Sequence, residues 1–164
     1  MKVLLLNGSP RKNGCTYTAL NVVADALKAE GIDAEVFQAG DPDMENVKAA
    51  AAKLKESDAL VVGSPVYWAS PSGQIIEFMD RLASVAGKDM LYKPAAAVAS
   101  ARRAGTTATL DVLTKYFSYH QMPVVSSCYW NMVHGNTPEE VMKDEEGVQI
   151  MRVLGKNMAW LLKY

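Results

Sequence analysis

Short apolar runs recur along the chain, and longer stretches with apolar residues at helical spacing separate them. The first and third runs are apolar on both faces, as in the central strands of a parallel sheet. Strands that alternate with helices in this way predict an α/β doubly wound sandwich of three layers with a five-stranded parallel sheet. The predicted strands are Val3–Leu6, Ala34–Phe37, Ala59–Gly63, Pro94–Ser100 and a fifth near Met122–Val125.

The stretches between these runs predict amphipathic helices that cover the sheet. After the first run, Val23 and Leu27 belong to an apolar stripe, and Gly31 stands where the C′ glycine of a helix belongs. Near the end of the chain, Thr137–Glu140 is a capping box with proline at the first helical position. The segment Asp144–Gly147 predicts an interruption of the helix that begins at this capping box.

Three unusual loops follow the first, third and fourth predicted strands: Gly8–Thr16, Ser64–Gly73 and Ala101–Thr107. The carboxyl ends of parallel strands lie at one edge of a sheet, and doubly wound proteins bind ligands there. We therefore expect the three loops to converge on one ligand site.

The first loop has the residue types of a phosphate site. It joins a buried strand to a helix, so its backbone N–H groups and the positive end of the helix dipole face the same point. Ser9 and Thr16 add hydroxyls, and Asn13 adds an amide. Arg11 and Lys12 add positive charge. The alternative is an ordinary strand-to-helix turn with surface charges.

The spacing of this loop excludes four better-known motifs. Gly14 is followed by Cys15 rather than by the lysine of a Walker A loop, and no GxGxxG dinucleotide motif is present. A Cys-x5-Arg phosphatase loop needs arginine where Asn21 stands, and the acidic residues of a receiver domain are absent after the first strand. A monophosphate site without a metal-binding carboxylate remains.

The second loop has the residues that suit a flat aromatic ligand. Pro65, Val66, Tyr67 and Trp68 combine apolar side chains with backbone amides at a strand end. An isoalloxazine ring needs apolar contacts on its faces and hydrogen bonds at its pyrimidine edge. The alternative is that the two aromatic side chains fill the core or a subunit interface.

The third loop brings cations to the same edge. Arg102 or Arg103 near the N1/O2 edge of a flavin would stabilise its reduced anion, and Gly105 would let the backbone approach the ring. Two alternatives stay open for the arginines: they hold the phosphate of a nicotinamide cofactor, or they are solvated loop residues.

The composition is that of one globular domain, residues 1–164, without a strong electrostatic field. Apolar residues make up 49% of the chain and the formal net charge is −1, so neither nucleic acid nor a membrane is an expected partner. The weak charge also counts against an acidic electron carrier. The two cysteines are far apart, and the first apolar run is too short for a signal sequence, so we expect a cytoplasmic protein.

Two motifs in order resemble the flavodoxin-like NAD(P)H-dependent FMN reductase family, including its iron–sulfur flavoprotein branch. They are Asn7–Arg11 with Thr16, and Ser64–Trp68 continuing to Phe78–Arg81. The resemblance implies a flavodoxin-like fold with strand order 2-1-3-4-5, FMN as cofactor, and NADH or NADPH as electron donor. The residues that it implicates in cofactor binding are Ser9, Arg11, Asn13, Cys15, Thr16, Pro65, Val66, Tyr67, Trp68, Ala101, Arg102, Arg103 and Gly105.

The chain departs from the iron–sulfur branch in one region. Those relatives carry a compact cysteine cluster after the second strand, whereas Phe37–Asp43 contains no cysteine, so that cluster cannot bind here. Cys15 replaces a more usual asparagine, and we expect it to pack or to contact the phosphate weakly rather than to perform redox chemistry. We expect no metal site, because His120 and His134 are isolated.

These observations favour an FMN-dependent oxidoreductase that transfers hydride from NAD(P)H through flavin to a quinone, a nitro or azo compound, or free flavin. Because the cofactor carries the chemistry, no catalytic side chain is expected. The resemblance implies a homodimer or homotetramer. The apolar segment Tyr129–Gly135 either packs under the last helix or, as we favour, covers a neighbouring subunit's flavin. Two alternatives stay open: an electron-transfer protein that serves protein partners, and a non-enzymatic binding protein.

Overall fold

The computed structural model describes residues 1–164 and contains six strands and six helices. The strands are β1 (Lys2–Asn7), β2 (Asp33–Gln38), β3 (Ala59–Tyr67), β4 (Ser70–Pro71), β5 (Ala95–Ala101) and β6 (Met132–His134). The helices are α1 (Cys15–Ala29), α2 (Met44–Lys55), α3 (Gly73–Met90), α4 (Thr106–Tyr119), α5 (Pro138–Lys143) and α6 (Glu145–Lys163). None of these helices is long and apolar enough to cross a membrane.

The central sheet is parallel and runs in the order β2-β1-β3-β5-β6. The two-residue strand β4 folds back antiparallel on the end of β3 and forms a hairpin with it. With β4 set aside, this is the predicted order 2-1-3-4-5 of a flavodoxin-like sandwich, which is confirmed.

The position of the fifth parallel strand differs from the prediction. The segment near Met122–Val125 is not a strand, because only Val124 forms a bridge, to Ala95 at the start of β5. At this bridge the Pro123 carbonyl accepts from the N–H of Ala95, and the N–H of Val125 donates to the Ala95 carbonyl. Pro123 has no N–H to extend the ladder toward Met122. The chain then leaves the edge and returns at β6 beside the end of β5. The edge strand is therefore interrupted, and the observed fifth strand lies ten residues later in the chain than expected.

Each face of the sheet has its own apolar core, because side chains alternate along a strand. Val3 and Leu5 of β1 pack with α1 and α6 on one face. Leu4 and Leu6 pack with α2, α3 and α4 on the other face. All four side chains are fully buried. The first apolar run, which predicted a central strand, therefore packs against the helices on both faces of the sheet.

The helix boundaries follow the predicted signals. Gly31 has φ +77°, and its backbone closes α1 as the C′ residue of a Schellman motif. The side chain of Thr137 accepts a hydrogen bond from the N–H of Glu140 at the start of α5. The predicted break after α5 is confirmed, since Asp144 separates it from α6 and caps the new helix by accepting from the N–H of Gly147.

Candidate functional site

A pocket of about 180 Å³ lies at the carboxyl ends of β1, β3 and β5, where the three loops meet. The convergence predicted from their position after parallel strands is therefore observed. The lining residues are Ser9, Arg11, Cys15, Thr16, Pro65, Val66, Tyr67, Ser100, Ala101, Arg102, Gly135 and Asn136.

Most of the residues proposed from the sequence line this pocket, but Asn13, Trp68, Arg103 and Gly105 do not. Three lining residues were missed by the sequence reasoning: Ser100, Gly135 and Asn136. Ser100 lies at the end of a predicted strand and was a detectable candidate by that criterion. Gly135 and Asn136 follow β6, whose position was predicted wrongly, so no sequence signal placed them at the site.

The first loop presents free backbone N–H groups at the start of α1. The N–H groups of Lys12–Thr16 have no hydrogen-bond partner within the chain. The N-cap residue, Gly14, supplies no side-chain cap. Unpartnered N–H groups and the positive end of a helix dipole together form an anion site. This arrangement fits a phosphate group.

Two buried hydroxyls join the first loop to β5. Thr16 Oγ1 and Ser100 Oγ lie 2.7 Å apart, and the two residues are only 1% and 3% exposed. Because each hydroxyl carries one hydrogen and the contact uses one of them, the other remains available to an acceptor on a ligand. The pair therefore adds a donor to the free N–H groups.

The thiol of Cys15 is partly buried and contacts the chain itself. Burial raises the pKa of Cys15 above its ordinary value, although a hydrogen bond with its own backbone and the charge of nearby Arg11 act in the opposite direction. Its Sγ lies 3.6 Å from the carbonyl oxygen of Gly135, to which the thiol donates. The contact joins α1 to the segment after β6.

The second predicted loop, Ser64–Gly73, contains a strained hairpin, because β3 continues past the predicted end at Gly63 to Tyr67 and β4 follows at Ser70. Trp68 and Ala69 occupy its two turn positions with φ +53° and +56°, in the left-handed region that non-glycine residues rarely adopt. The side chain of Trp68 is 100% exposed, whereas Tyr67 before it lines the pocket. The hairpin therefore holds a large aromatic group away from the core at a cost in backbone strain.

Gly105 of the third loop contacts this hairpin. It has φ +99°, and a Cβ placed on it would lie 2.8 Å from Ala69 Cα and 2.9 Å from Val66 Cγ1. The expectation that this glycine lets the backbone approach a cofactor stays a prediction; in the structure the missing Cβ makes room for the second loop. Arg102 and Arg103 beside it are exposed, and the Arg103 carbonyl accepts a hydrogen bond from His134 Nε2 at 3.2 Å.

A larger cavity, about 630 Å³, lies elsewhere, between α3 and α4. Tyr116 there donates to the carboxylate of Asp80, and burial together with this bond raises the pKa of Tyr116. None of the three loops lines this cavity, and it has no run of free N–H groups comparable to the start of α1. Size alone does not indicate the ligand site, so the smaller pocket at the strand ends is the candidate.

Comparison with known proteins concerns the family of the chain. The sequence model of the NADPH-dependent FMN reductase family matches residues 1–137, which include all three loops. An iron-sulfur flavoprotein of Methanocaldococcus jannaschii is 29% identical, with 99% of this chain and 98% of the relative aligned. An NADPH azoreductase of a Bacillus species is 30% identical over 62% of this chain and 59% of the relative.

Solved structures show the same fold at lower identity. A flavodoxin from the domain Archaea superposes with a TM-score of 0.75 at 19% identity, and both chains are covered completely.

The number of cysteines in this chain is too small for an iron–sulfur cluster with four cysteine ligands. This chain has only two cysteines, Cys15 and Cys128, whereas an iron–sulfur cluster is held by four cysteine ligands.

Proposed function

The chain belongs to the NADPH-dependent FMN reductase family, and on that premise we propose that it reduces a small acceptor, using FMN held in the pocket at the ends of β1, β3 and β5. Membership of the family makes it an NAD(P)H-dependent flavin oxidoreductase. The acceptor classes that we propose are quinones, nitro or azo compounds, and free flavin. The similarity to an NADPH azoreductase supports an azo compound among them.

The observation that carries this proposal is the run of free N–H groups from Lys12 to Thr16. At the start of α1 these donors and the positive end of the helix dipole suit an anion such as a phosphate group. We propose that Ser9, Arg11, Asn13 and Thr16 hold the FMN phosphate together with these groups. Arg11 suits this role because its guanidinium makes no ion pair within the chain, although it lines the pocket. Cys15 lines the same part of the pocket and closes it by packing.

The flavin ring is proposed to lie against the second and third loops. Pro65, Val66 and Tyr67 offer apolar surface at the pocket, and Trp68 offers an indole that nothing in the chain covers. Bound there, FMN would supply the hydride and electron chemistry between the nicotinamide donor and the acceptor. The chain's own groups position the ring and supply charge at its edge, and no side chain acts as acid or base. Ala101, Arg102, Arg103 and Gly105 are the residues proposed for that edge.

We also propose a cytoplasmic homodimer or homotetramer built from a single domain, residues 1–164. The support is the interrupted edge between Val125 and β6, where Tyr129 and Trp130 form an edge-to-face pair and are each about half exposed. Before this pair, Ser127 donates to the Ile150 carbonyl of α6 at 2.7 Å. The chain just before the segment thus packs on the last helix, and we propose that the exposed aromatic pair covers a neighbouring subunit's flavin.

An absorption spectrum followed by anaerobic addition of NADH and then NADPH tests the proposal. We expect a flavin spectrum that bleaches within the turnover time, and the faster donor identifies the preferred nicotinamide. A bound flavin that stays oxidised with both donors would indicate a protein electron donor and contradict the reductase. A protein that neither contains flavin nor binds added FMN would contradict the assignment of the pocket.

A further inference from the structure

We propose that Gln38, at the end of β2, is a positioning residue for phosphate recognition, and that it acts through Asn7 on the first loop. The inference rests on the proposed FMN function and adds a residue that does not line the pocket. Nothing in the loop motif itself points to Gln38, since it lies on another strand.

Gln38 and Asn7 are partners across two parallel strands. They occupy matching positions at the carboxyl ends of β2 and β1. Asn7 Nδ2 donates to Gln38 Oε1 at 2.7 Å, and Gln38 Nε2 donates to the Ser9 carbonyl at 2.7 Å. Asn7 is fully buried, so the amide of Gln38 is a fixed neighbour rather than a replaceable solvent contact. One glutamine side chain therefore ties β2 to both the end of β1 and the loop.

Asn7 transmits this constraint to the middle of the loop. With one Nδ2 hydrogen directed at Gln38, the other is shared between the carbonyls of Lys12 and Arg11, at 3.2 and 3.4 Å. The Oδ1 of Asn7 accepts from the N–H of Ser9 at 3.2 Å. In a planar trans peptide the C=O and the following N–H point in opposite directions. Carbonyls held toward Asn7 therefore turn the N–H groups of Lys12 and Asn13 away from it, which leaves these donors free for an anion.

Gly40 completes the constraint on the loop. A Cβ at this position would lie 2.0 Å from the Ser9 carbonyl oxygen and 2.7 Å from Gln38 Nε2. The Ser9 peptide is thus confined between the backbone of Gly40 and the amide of Gln38. A loop fixed in this way loses little conformational entropy when the phosphate binds, so the affinity for the anion is higher than for a mobile loop.

The test compares FMN with riboflavin, which has the same ring and ribityl chain but no phosphate. Gln38→Met keeps the length of the side chain and removes both of its hydrogen bonds. We expect the FMN dissociation constant of the apoprotein to rise about tenfold, the equivalent of one to two hydrogen bonds. The riboflavin dissociation constant should stay within about twofold. Both are measured by quenching of flavin fluorescence.

Gln149→Met is the matched control, because Gln149 is exposed on α6 and its side chain makes no hydrogen bond. Gln38→Ala is a second variant in case the methionine does not fit beside Gly40, and each variant is checked by thermal unfolding. Equal losses for FMN and riboflavin would show general damage and overturn the positioning role, as would unchanged FMN affinity. If the parent protein itself binds riboflavin as tightly as FMN, the proposed phosphate site fails, which is a different result from either.

Discussion

The first loop and the β3–β4 hairpin face the same pocket but are built in opposite ways. In the first loop, Ser9 and Thr16 are buried, and internal hydrogen bonds to Asn7 and Gln38 fix its backbone. In the hairpin, Trp68 is wholly exposed and the turn adopts a strained conformation. One region is complete before a ligand arrives, whereas the other leaves its largest side chain uncovered.

The difference follows from what each region is proposed to bind. Hydrogen-bond donors for an anion must be oriented in advance, because reorienting them during binding costs free energy. An apolar surface has no such directionality, and it gains free energy only when something covers it, about 2 to 3 kcal/mol for a large side chain. The comparison therefore predicts that changes in the first loop affect phosphate affinity, while changes in the hairpin affect stability and turnover.

The largest effect is expected from the double variant Arg11→Ala with Thr16→Ala. It removes a charge and a hydroxyl from the proposed phosphate site, and hydrogen bonds to charged groups are the stronger kind. We expect the FMN dissociation constant to rise at least about 100-fold. Riboflavin affinity should change little. Titration of the apoprotein with each flavin measures both.

The control for this variant is Arg152→Ala with Thr114→Ala, which removes the same groups from α6 and α4. Arg152 is exposed, and the hydroxyl of Thr114 donates to the Leu110 carbonyl of its own helix. The control should bind FMN like the parent protein. If the first-loop variant also does so, the loop does not hold the phosphate and the comparison between the two regions loses its basis.

A second prediction concerns the contact between Gly105 and the hairpin. Gly105→Ala places a Cβ against the backbone of Ala69 at a position with φ +99°, so neither side can adjust easily. We expect the free energy of unfolding to fall by about 2 kcal/mol. Denaturant unfolding measures the change. Gly73→Ala is the control, because a Cβ there meets nothing within 4 Å, and stability should stay level or increase.

Gly105 also shows how far the site could be predicted from the sequence. The strand-end position of all three loops followed from hydrophobic patterning, because that pattern reports which strands are buried and parallel. It could not show that Gly105 contacts the second loop, since that depends on two loops meeting in space. Gln38 was missed for the same reason: its partner, Asn7, is on another strand. Asn136 was missed because the fifth strand was expected near Met122–Val125, whereas the strand that precedes Asn136 is β6.

A third prediction separates strain from function in the hairpin. Trp68→Gly removes an exposed side chain and the backbone strain of a non-glycine residue in the left-handed region. The free energy of unfolding should therefore rise by up to about 1 kcal/mol. Turnover should fall if the indole contacts flavin or substrate. Ala69→Gly is the matched control, because it relieves the neighbouring residue of the same turn and keeps the indole. Unfolding and steady-state rates measured on both variants distinguish the effects, and equal turnover in the two would assign Trp68 no part in the reaction.

The smallest effect is expected at Cys15, where the first loop meets the pocket. Its raised pKa lowers the thiolate fraction at a given pH, and alkylation proceeds through the thiolate. At pH 8 we expect iodoacetamide to label exposed Cys128 several-fold faster than Cys15, with the Cys15 rate rising as the pH increases beyond the ordinary thiol range. Peptide mapping by mass spectrometry gives both rates. Bound FMN should slow Cys15 further without changing Cys128, because Cys15 lines the pocket. Faster labelling of Cys15 than of Cys128 would instead reveal an activated thiol, and the first loop would then be a reactive site as well as a fixed anion site.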